Sequence, residues 1–342
     1  MLGFSGGVDS CATAVILREQ GFEVTAVTLD AVGDREMMGR AREAAGRIGL
    51  EWRAANVGER FGKEIINYFI EGYMRGETPA PCVLCNPAIK WRTLYDIAIA
   101  EGYDHIATGH YCRIRSDGAG YYVRKGADPV KDQSYYLWGV PQEYLRMALT
   151  PLGGILKSDV KAKYGGYASA RESMSVCFLR GKDYATFLKE RSGGCGRGEV
   201  VDRSDVVIGT HDGYPFYTIG QKRGLALAPE AAAALGGKAV VTAVDVANNR
   251  LVVGGDGDLY HKNLLVRDFN VVDMERLLSS SAVTVRVRGL GRNPAEFARV
   301  GKSGDMLAVE LGDPAWACAK GQPVGFYEGD VVLGGGFLEK YW

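Results

Sequence analysis

The 342-residue sequence lacks a net charge of either sign, since 41 Lys and Arg balance 41 Asp and Glu. A basic surplus is the usual footprint of a nucleic-acid binder, so any grip on RNA must come from local basic patches. No apolar run approaches the ~18 residues needed to cross a bilayer, which predicts no membrane partner. Internal repeats and low-complexity tracts are absent. Met1 enters an apolar strand at once, without the charged lead of a signal peptide. Four residues are few for that strand, which leaves room for a start further upstream. The seven cysteines (11, 82, 85, 112, 177, 195 and 318) are odd in number. With no export signal, they predict a reducing, cytoplasmic setting and no disulfide framework. A hydrophobic content of 46% with 24% charged residues is ordinary for a globular protein. The length exceeds one compact core and predicts two or three domains.

What is present begins with Gly3-Phe4-Ser5-Gly6-Gly7-Val8-Asp9-Ser10. An apolar strand precedes this stretch and an apolar helix from Cys11 follows it. A Gly-rich turn at a helix N-terminus aims several N–H groups and the positive helix end at one spot, which makes an anion site. Gly6 and Gly7 allow close backbone approach to phosphate. Ser5 and Ser10 add hydroxyl donors, and Asp9 suits holding the loop or helping to place Mg2+. No Lys follows the second glycine, so the loop is not of the Lys-Ser/Thr type. It resembles instead the pyrophosphate loop of the PP-loop ATPases, which implies cleavage of ATP to AMP and pyrophosphate.

Strand and helix patterns then alternate to about Lys189. Strands are expected at 22–29, 51–57 and 105–108, and helices at 34–48, 59–75 and 90–101. Such alternation means a parallel sheet with helices on both faces, with ligands at the carboxyl strand ends. Leu29, Gly109 and His110 fall at those ends. Between the helices, Thr78-Pro79-Ala80-Pro81-Cys82-Val83-Leu84-Cys85-Asn86 is expected to be a proline-stiffened loop ending in Cys-x-x-Cys. Thiols just before a helix tend toward thiolate. A redox pair, metal ligands and a nucleophile all remain open, and a structural zinc would want a second pair that is missing.

After about Leu188 the period changes. Short strands are expected at 199–201, 206–210, 216–219, 239–246 and 251–254, forming a small β-rich middle domain. From about Leu265 further short strands with Gly turns suggest a small barrel. Arg286, Arg288, Arg292 and Arg299 make a basic patch on or near its early strands. The fold class expected is therefore α/β, a doubly wound parallel sheet over 1–189, followed by two small β-rich domains at 190–264 and 265–342, the last a β-barrel. Cys11, Cys112, Cys195, Cys318, His105 and His211 read as structural or surface residues.

Several further segments carry a resemblance that covers nearly the whole chain. These are 78–86 with Ile89-Lys90, Ala107-Thr108-Gly109-His110-Tyr111, Lys131-Asp132-Gln133-Ser134-Tyr135, Ser175-Val176-Cys177-Phe178, 216–225, 249–254, Gly321-Gln322 and 333–336. In this order they resemble the tRNA-specific 2-thiouridylase family, whose members place sulfur on C2 of the wobble uridine in the tRNA anticodon loop. The resemblance implies an adenine-nucleotide hydrolase-like fold, ATP and Mg2+, and sulfur from a donor protein or sulfide. It implies that Cys85 and Cys177 are the two active cysteines, Cys177 carrying sulfur as a persulfide. By the same resemblance Gly3, Phe4, Ser5, Gly6, Gly7, Val8, Asp9, Ser10, Leu29 and Gly109 would bind ATP. Ala80, Pro81 and Cys82 would flank the target base. His110, Lys131, Asp132, Gln133, Arg288, Gly289 and Gln322 would touch tRNA.

One departure stands out. The family commonly has Asn-Pro-Asp where this chain has Ala80-Pro81-Cys82. A thiol replaces the carboxylate, and Cys82, Cys85 and Cys177 together have the number and type of ligands for a [4Fe–4S] cluster with one open iron. A persulfide route and a cluster route are both expectations at this point. Two rivals also stand: another PP-loop enzyme that adenylates a different acceptor without paired cysteines, and a tRNA-binding or sulfur-carrying protein without turnover. The segment after Asp30 is compact, where a donor-docking feature would otherwise fit.

Overall fold

The computed structural model describes all residues except 119, 169–175, 194, 235–238 and 290–291. Ser175 of the resemblance lies outside the described residues. The first unit is a five-stranded parallel sheet of β1 (Leu2–Gly3), β2 (Thr25–Asp30), β3 (Glu51–Asn56), β4 (Ile106–Ala107) and β7 (Ala148–Leu149), in the order β3-β2-β1-β4-β7. Strand order reverses between β1 and β4, and that gap is where an open α/β sheet forms its ligand crevice. The helices that cover it follow their sequence signals. Helix α1 (Val8–Glu19) springs directly from the glycine loop. Helix α2 (Arg35–Ile48) starts where Asp34 Oδ1 accepts the Met37 amide at 3.0 Å, and ends at Gly49 with φ of 74°.

The expected helix 59–75 is present with one irregularity. Helices α3 (Gly58–Phe61) and α4 (Asn67–Met74) are joined through a π-helical turn at Gly62–Ile66. The cysteine segment differs from expectation. The proline-rich loop ends at Ala80, and a helix starts at Pro81. The order is α5 (Pro81–Cys85), a π-helical turn at Asn86–Trp91, and α6 (Arg92–Glu101). Pro81 occupies the first helical position, where its missing N–H costs nothing. Cys82 and Cys85 therefore stand on a helix three residues apart.

An antiparallel hairpin, β5 (Cys112–Ser116) and β6 (Tyr121–Lys125), leaves the parallel sheet after β4. It joins the last domain: Arg124 pairs with Val331, and Asp330 accepts from both Arg113 and Arg124. After it come α7 (Gln142–Met147), α8 (Lys157–Tyr164) and α9 (Tyr184–Ser192).

The middle sheet is ordered β10-β9-β8-β12-β11 from β8 (Gly198–Val201), β9 (Val207–His211), β10 (Ala226–Leu227), β11 (Val240–Asp245) and β12 (Arg250–Gly254). The strand expected at 216–219 is not one. Tyr214–Phe216 is a 3-10 turn, and Phe216, Tyr217 and Ile219 point into a core shared with Phe61, Phe69 and Phe178 of the first unit. Apolar alternation there served burial against a neighbouring domain, not a ladder.

The last domain runs β14-β17-β18-β13-β16-β15. Its strands are β13 (Tyr260–Val271), β14 (Val283–Arg286), β15 (Arg299–Ser303), β16 (Met306–Trp316), β17 (Pro323–Glu328) and β18 (Val331–Tyr341). The two edges meet where the Ala298 amide donates to the Val283 carbonyl at 2.7 Å, which curls the sheet into a barrel. Strand β13 passes unbroken through 264–265, where a boundary was expected. Among the described residues no helix is long and apolar enough to cross a membrane.

Candidate active site

The glycine loop sits at the carboxyl end of β1, as the strand–helix reading requires. Gly6 has φ of 75°, and a Cβ there would lie 2.8 Å from Ala41 Cα, so only glycine fits. Ser10 Oγ donates to the Gly7 carbonyl at 2.9 Å and sits 3.3 Å from both the Ser5 amide and Ser5 Oγ, which fixes the loop's shape. Phe4 and Val8 are buried beneath it, and Leu29 ends β2 beside it.

Asp9 is tied down by partners that the sequence did not reveal. Its Oδ1 accepts from Lys157 Nζ at 2.5 Å and from the Tyr111 hydroxyl at 2.8 Å. The Lys157 side chain is only 7% exposed. In sequence, Lys157 was one of three lysines in a short polar helix, indistinguishable from a solvated one.

Gly109 links this loop to the cysteines. A Cβ on Gly109 would lie 3.2 Å from the Asp9 carbonyl carbon, so β4 approaches α1 closely. The next residue, His110, turns the other way. Its ring stacks on Trp91 with centroids 6.0 Å apart, and its Nδ1 lies 2.8 Å from Thr108 Oγ1. Burial, helped by the Lys90 ammonium, pushes the His110 pKa down to about 3. His110 is therefore neutral at physiological pH.

Cys82, Cys85 and Cys177 converge on Lys90. Burial raises the Cys85 thiol to about 11; Lys90 opposes this, and the other two thiols add to it. Cys177 keeps an exposed surface on a 3-10 turn at Cys177–Leu179, yet desolvation of its sulfur by the surrounding protein raises its pKa while Lys90 again lowers it. Burial disfavours the Lys90 ammonium, but the three cysteine sulfurs, once ionised, outweigh that and hold its pKa above the ordinary value. The turn bearing Cys177 is anchored by Phe178, whose ring packs edge-on against Phe61 and Phe69 at 5.9 and 5.1 Å. All seven cysteines are free. Among the described residues no three His, Cys, Asp or Glu side chains are grouped to hold a metal ion, so the three thiols do not form a cluster ligand set in this arrangement.

The barrel reaches this centre. A Cβ on Gly289 would lie 2.2 Å from the Tyr136 hydroxyl, and burial together with neighbouring Cys82 raises the Tyr136 pKa. Asn86 Nδ2 donates to the Tyr136 carbonyl at 2.9 Å. Ahead of Ala80, the Thr78 amide donates to the Lys320 carbonyl at 2.8 Å. The residues expected at tRNA divide into two groups. Lys131 is half-buried on the loop after Asp128, whose Oδ1 accepts its backbone amide at 3.2 Å. Gln133 Oε1 accepts the Tyr111 amide, Gln322 Oε1 accepts the Ala319 amide, and Arg288 donates to the Ala317 carbonyl while lying over Trp316 at 5.0 Å. Asp132 is engaged within the protein. Its side chain is 2% exposed, accepts from Ser134 and Gly126, and pairs with Arg286 at 2.8 Å. It fastens the barrel to the first domain. Arg286 is used up in the same pair.

Fold and site together define a nucleotide-binding α/β enzyme of the phosphate-loop type, with a thiol centre set between it and two β modules. Three family models match in order: the tRNA methyl transferase HUP domain over 1–181, the tRNA methyl transferase PRC-barrel domain over 185–255, and the aminomethyltransferase β-barrel domain over 261–338. The tRNA-specific 2-thiouridylase MnmA 3 of Phocaeicola vulgatus is 38% identical over 99% of this chain and 93% of its own. The tRNA-specific 2-thiouridylase MnmA of Carboxydothermus hydrogenoformans is 36% identical over 99% and 97%. The chain belongs to the tRNA-specific 2-thiouridylase family.

Proposed function

We propose that this protein is an ATP-dependent tRNA sulfurtransferase that converts the wobble uridine to 2-thiouridine, releasing AMP and pyrophosphate. The observation that carries the reading is the convergence of Cys85, Cys177 and Lys90 one residue from the Gly109–Asp9 contact, so that a thiol centre adjoins a phosphate loop. Uridine C2 is a poor electrophile and its oxygen a poor leaving group. Attack of that oxygen on the α-phosphorus of ATP expels pyrophosphate and turns the oxygen into AMP, a good leaving group. The unpaired wobble base can be splayed into the pocket at modest cost.

A persulfide on Cys177 then attacks C2 through its outer sulfur, and AMP leaves with the C2–O bond electrons. The Cys85 thiolate attacks Cys177 Sγ, breaking the S–S bond and leaving sulfur on C2. The transferred sulfur gains two electrons and the two thiols become a disulfide, which an external dithiol reduces before the next turnover. A donor persulfide hands its outer sulfur to the reduced Cys177 thiol and leaves as a thiol, or sulfide attacks Cys177 Sγ of the disulfide directly and displaces the Cys85 thiolate; the solvent exposure of Cys177 suits either exchange.

The glycine loop with Ser5, Ser10 and the end of β2 at Leu29 suits the triphosphate and adenosine of ATP. Mg2+ would neutralise the phosphates there, with Asp9 the nearest carboxylate of the loop. Ala80, Pro81 and Cys82 flank the base, and Tyr136 and Gly289 close the pocket from the barrel side. His110, Lys131, Gln133, Arg288 and Gln322 are assigned to the tRNA. The persulfide route needs no iron–sulfur cluster.

The test is nucleoside mass spectrometry after incubation with unmodified tRNA, ATP, Mg2+ and a sulfide or persulfide source. Cys85→Ser and Cys177→Ser should each abolish 2-thiouridine while Cys318→Ser, buried in the barrel, keeps it. Undiminished product from both active-cysteine variants would return the choice to a PP-loop enzyme that works without paired cysteines.

A further inference from the structure

Lys90 is placed at the thiol centre by an irregularity in its own helix. Cys82 and Cys85, three apart on α5, share a face. Lys90 follows Cys85 by five residues. In a regular α-helix five residues turn about 140° beyond a full circle and would carry Lys90 away from the cysteines. The Asn86–Trp91 segment is instead a π-helical turn, in which residues five apart close one turn and come back to the same side. The Trp91 and His110 rings stack beside it. Among the described residues Lys90 has no carboxylate ion-pair partner, and the groups that face it are Cys85, Cys82, Cys177 and the neutral His110. A half-buried ammonium without a carboxylate carries a desolvation cost that an anion meeting it would offset.

We propose that Lys90 is the counter-charge of the sulfur-transfer step, a positioning residue whose ammonium holds the sulfur anion as it passes between Cys177, C2 of the base and Cys85. The proposal rests on the sulfurtransferase reading and deepens it. Lys90 is fixed, cationic and central to three thiols, so it serves each anion in turn: the loaded persulfide, the attacking Cys85 thiolate and the departing Cys177 sulfur.

The experiment measures the local charge directly, on the reduced full-length protein without tRNA. Cys177 is alkylated in parallel with anionic iodoacetate and neutral iodoacetamide, and modification is read by peptide mass spectrometry. Both reagents consume the thiolate, so the thiolate fraction cancels in the ratio of their rates and the field of Lys90 remains. Lys90→Met should lower the iodoacetate-to-iodoacetamide ratio about fivefold, whereas Lys90→Arg, which keeps the charge, should hold it within about twofold of wild type. Single-turnover 2-thiouridine formation should fall about thirtyfold in Lys90→Met and be partly rescued in Lys90→Arg. A wild-type ratio in Lys90→Met overturns the proposal. Should that variant not fold, Lys90→Gln replaces it under the same criterion. Failure of the sulfurtransferase reading itself would show elsewhere, as full product from Cys85→Ser and Cys177→Ser.

Discussion

Lys157 Nζ lies 2.5 Å from Asp9 Oδ1, across 148 residues of sequence. The contact joins the start of α8 to the phosphate loop, and Tyr111 braces the same oxygen from β4's side. A buried ammonium paired to a carboxylate at an anion site can hold the loop when empty and turn to phosphate when nucleotide and Mg2+ arrive.

Removing that ammonium should therefore cost activity more than stability. Lys157→Met is expected to slow tRNA-dependent pyrophosphate release about 100-fold, because Asp9 is left as an unpaired negative charge beside a triphosphate. Asp9→Asn in the same background should recover part of the loss. Pyrophosphate-release assays on the two single variants and the double variant check this, since a pair that acts together is non-additive.

Two glycines predict opposite signs. Gly6→Ala puts a Cβ on a left-handed residue against Ala41, and should cost about 1–3 kcal/mol together with ATP affinity. Gly46→Ala lies inside α2 with open space around it, and should gain about 0.5–1 kcal/mol. Thermal melts and an ATP titration on both variants give the comparison.

His110 sets an acid-side stability slope. Its folded pKa, about 3, lies below the ordinary 6.5, so the unfolded chain binds more protons between these values. Stability from this residue is full above pH 6.5 and is lost as pH falls toward 3. The melting temperature of wild type should drop more steeply from pH 6.5 to 4 than that of His110→Gln. Parallel slopes would mean the ring is not held neutral.

Neighbours 131 and 132 should separate by what they hold. Asp132→Ala strands Arg286 and should destabilise the protein by about 3 kcal/mol. Lys131→Ala should leave the melting temperature unchanged, weaken tRNA binding, and reduce the salt dependence of that binding by about one counterion. Melts and tRNA titrations over a range of salt read both.

The sequence by itself determined the local parts. The strand–glycine–helix order fixed the anion loop, because only glycine allows the φ of Gly6 there. Alternating periods fixed a parallel sheet and its ligand edge, and Asp34 and Gly49 marked the ends of α2. The order of motifs fixed the family. Tertiary structure decided which residues meet across long separations. Lys157 pairs with Asp9, Asp132 with Arg286, and Phe178 holds the Cys177 turn, and none of these contacts has a periodicity that a sequence can show. A lysine's charge acts on whatever lies within a few ångströms, and Lys90 stands on a π-helical turn beside the cysteines that act on it.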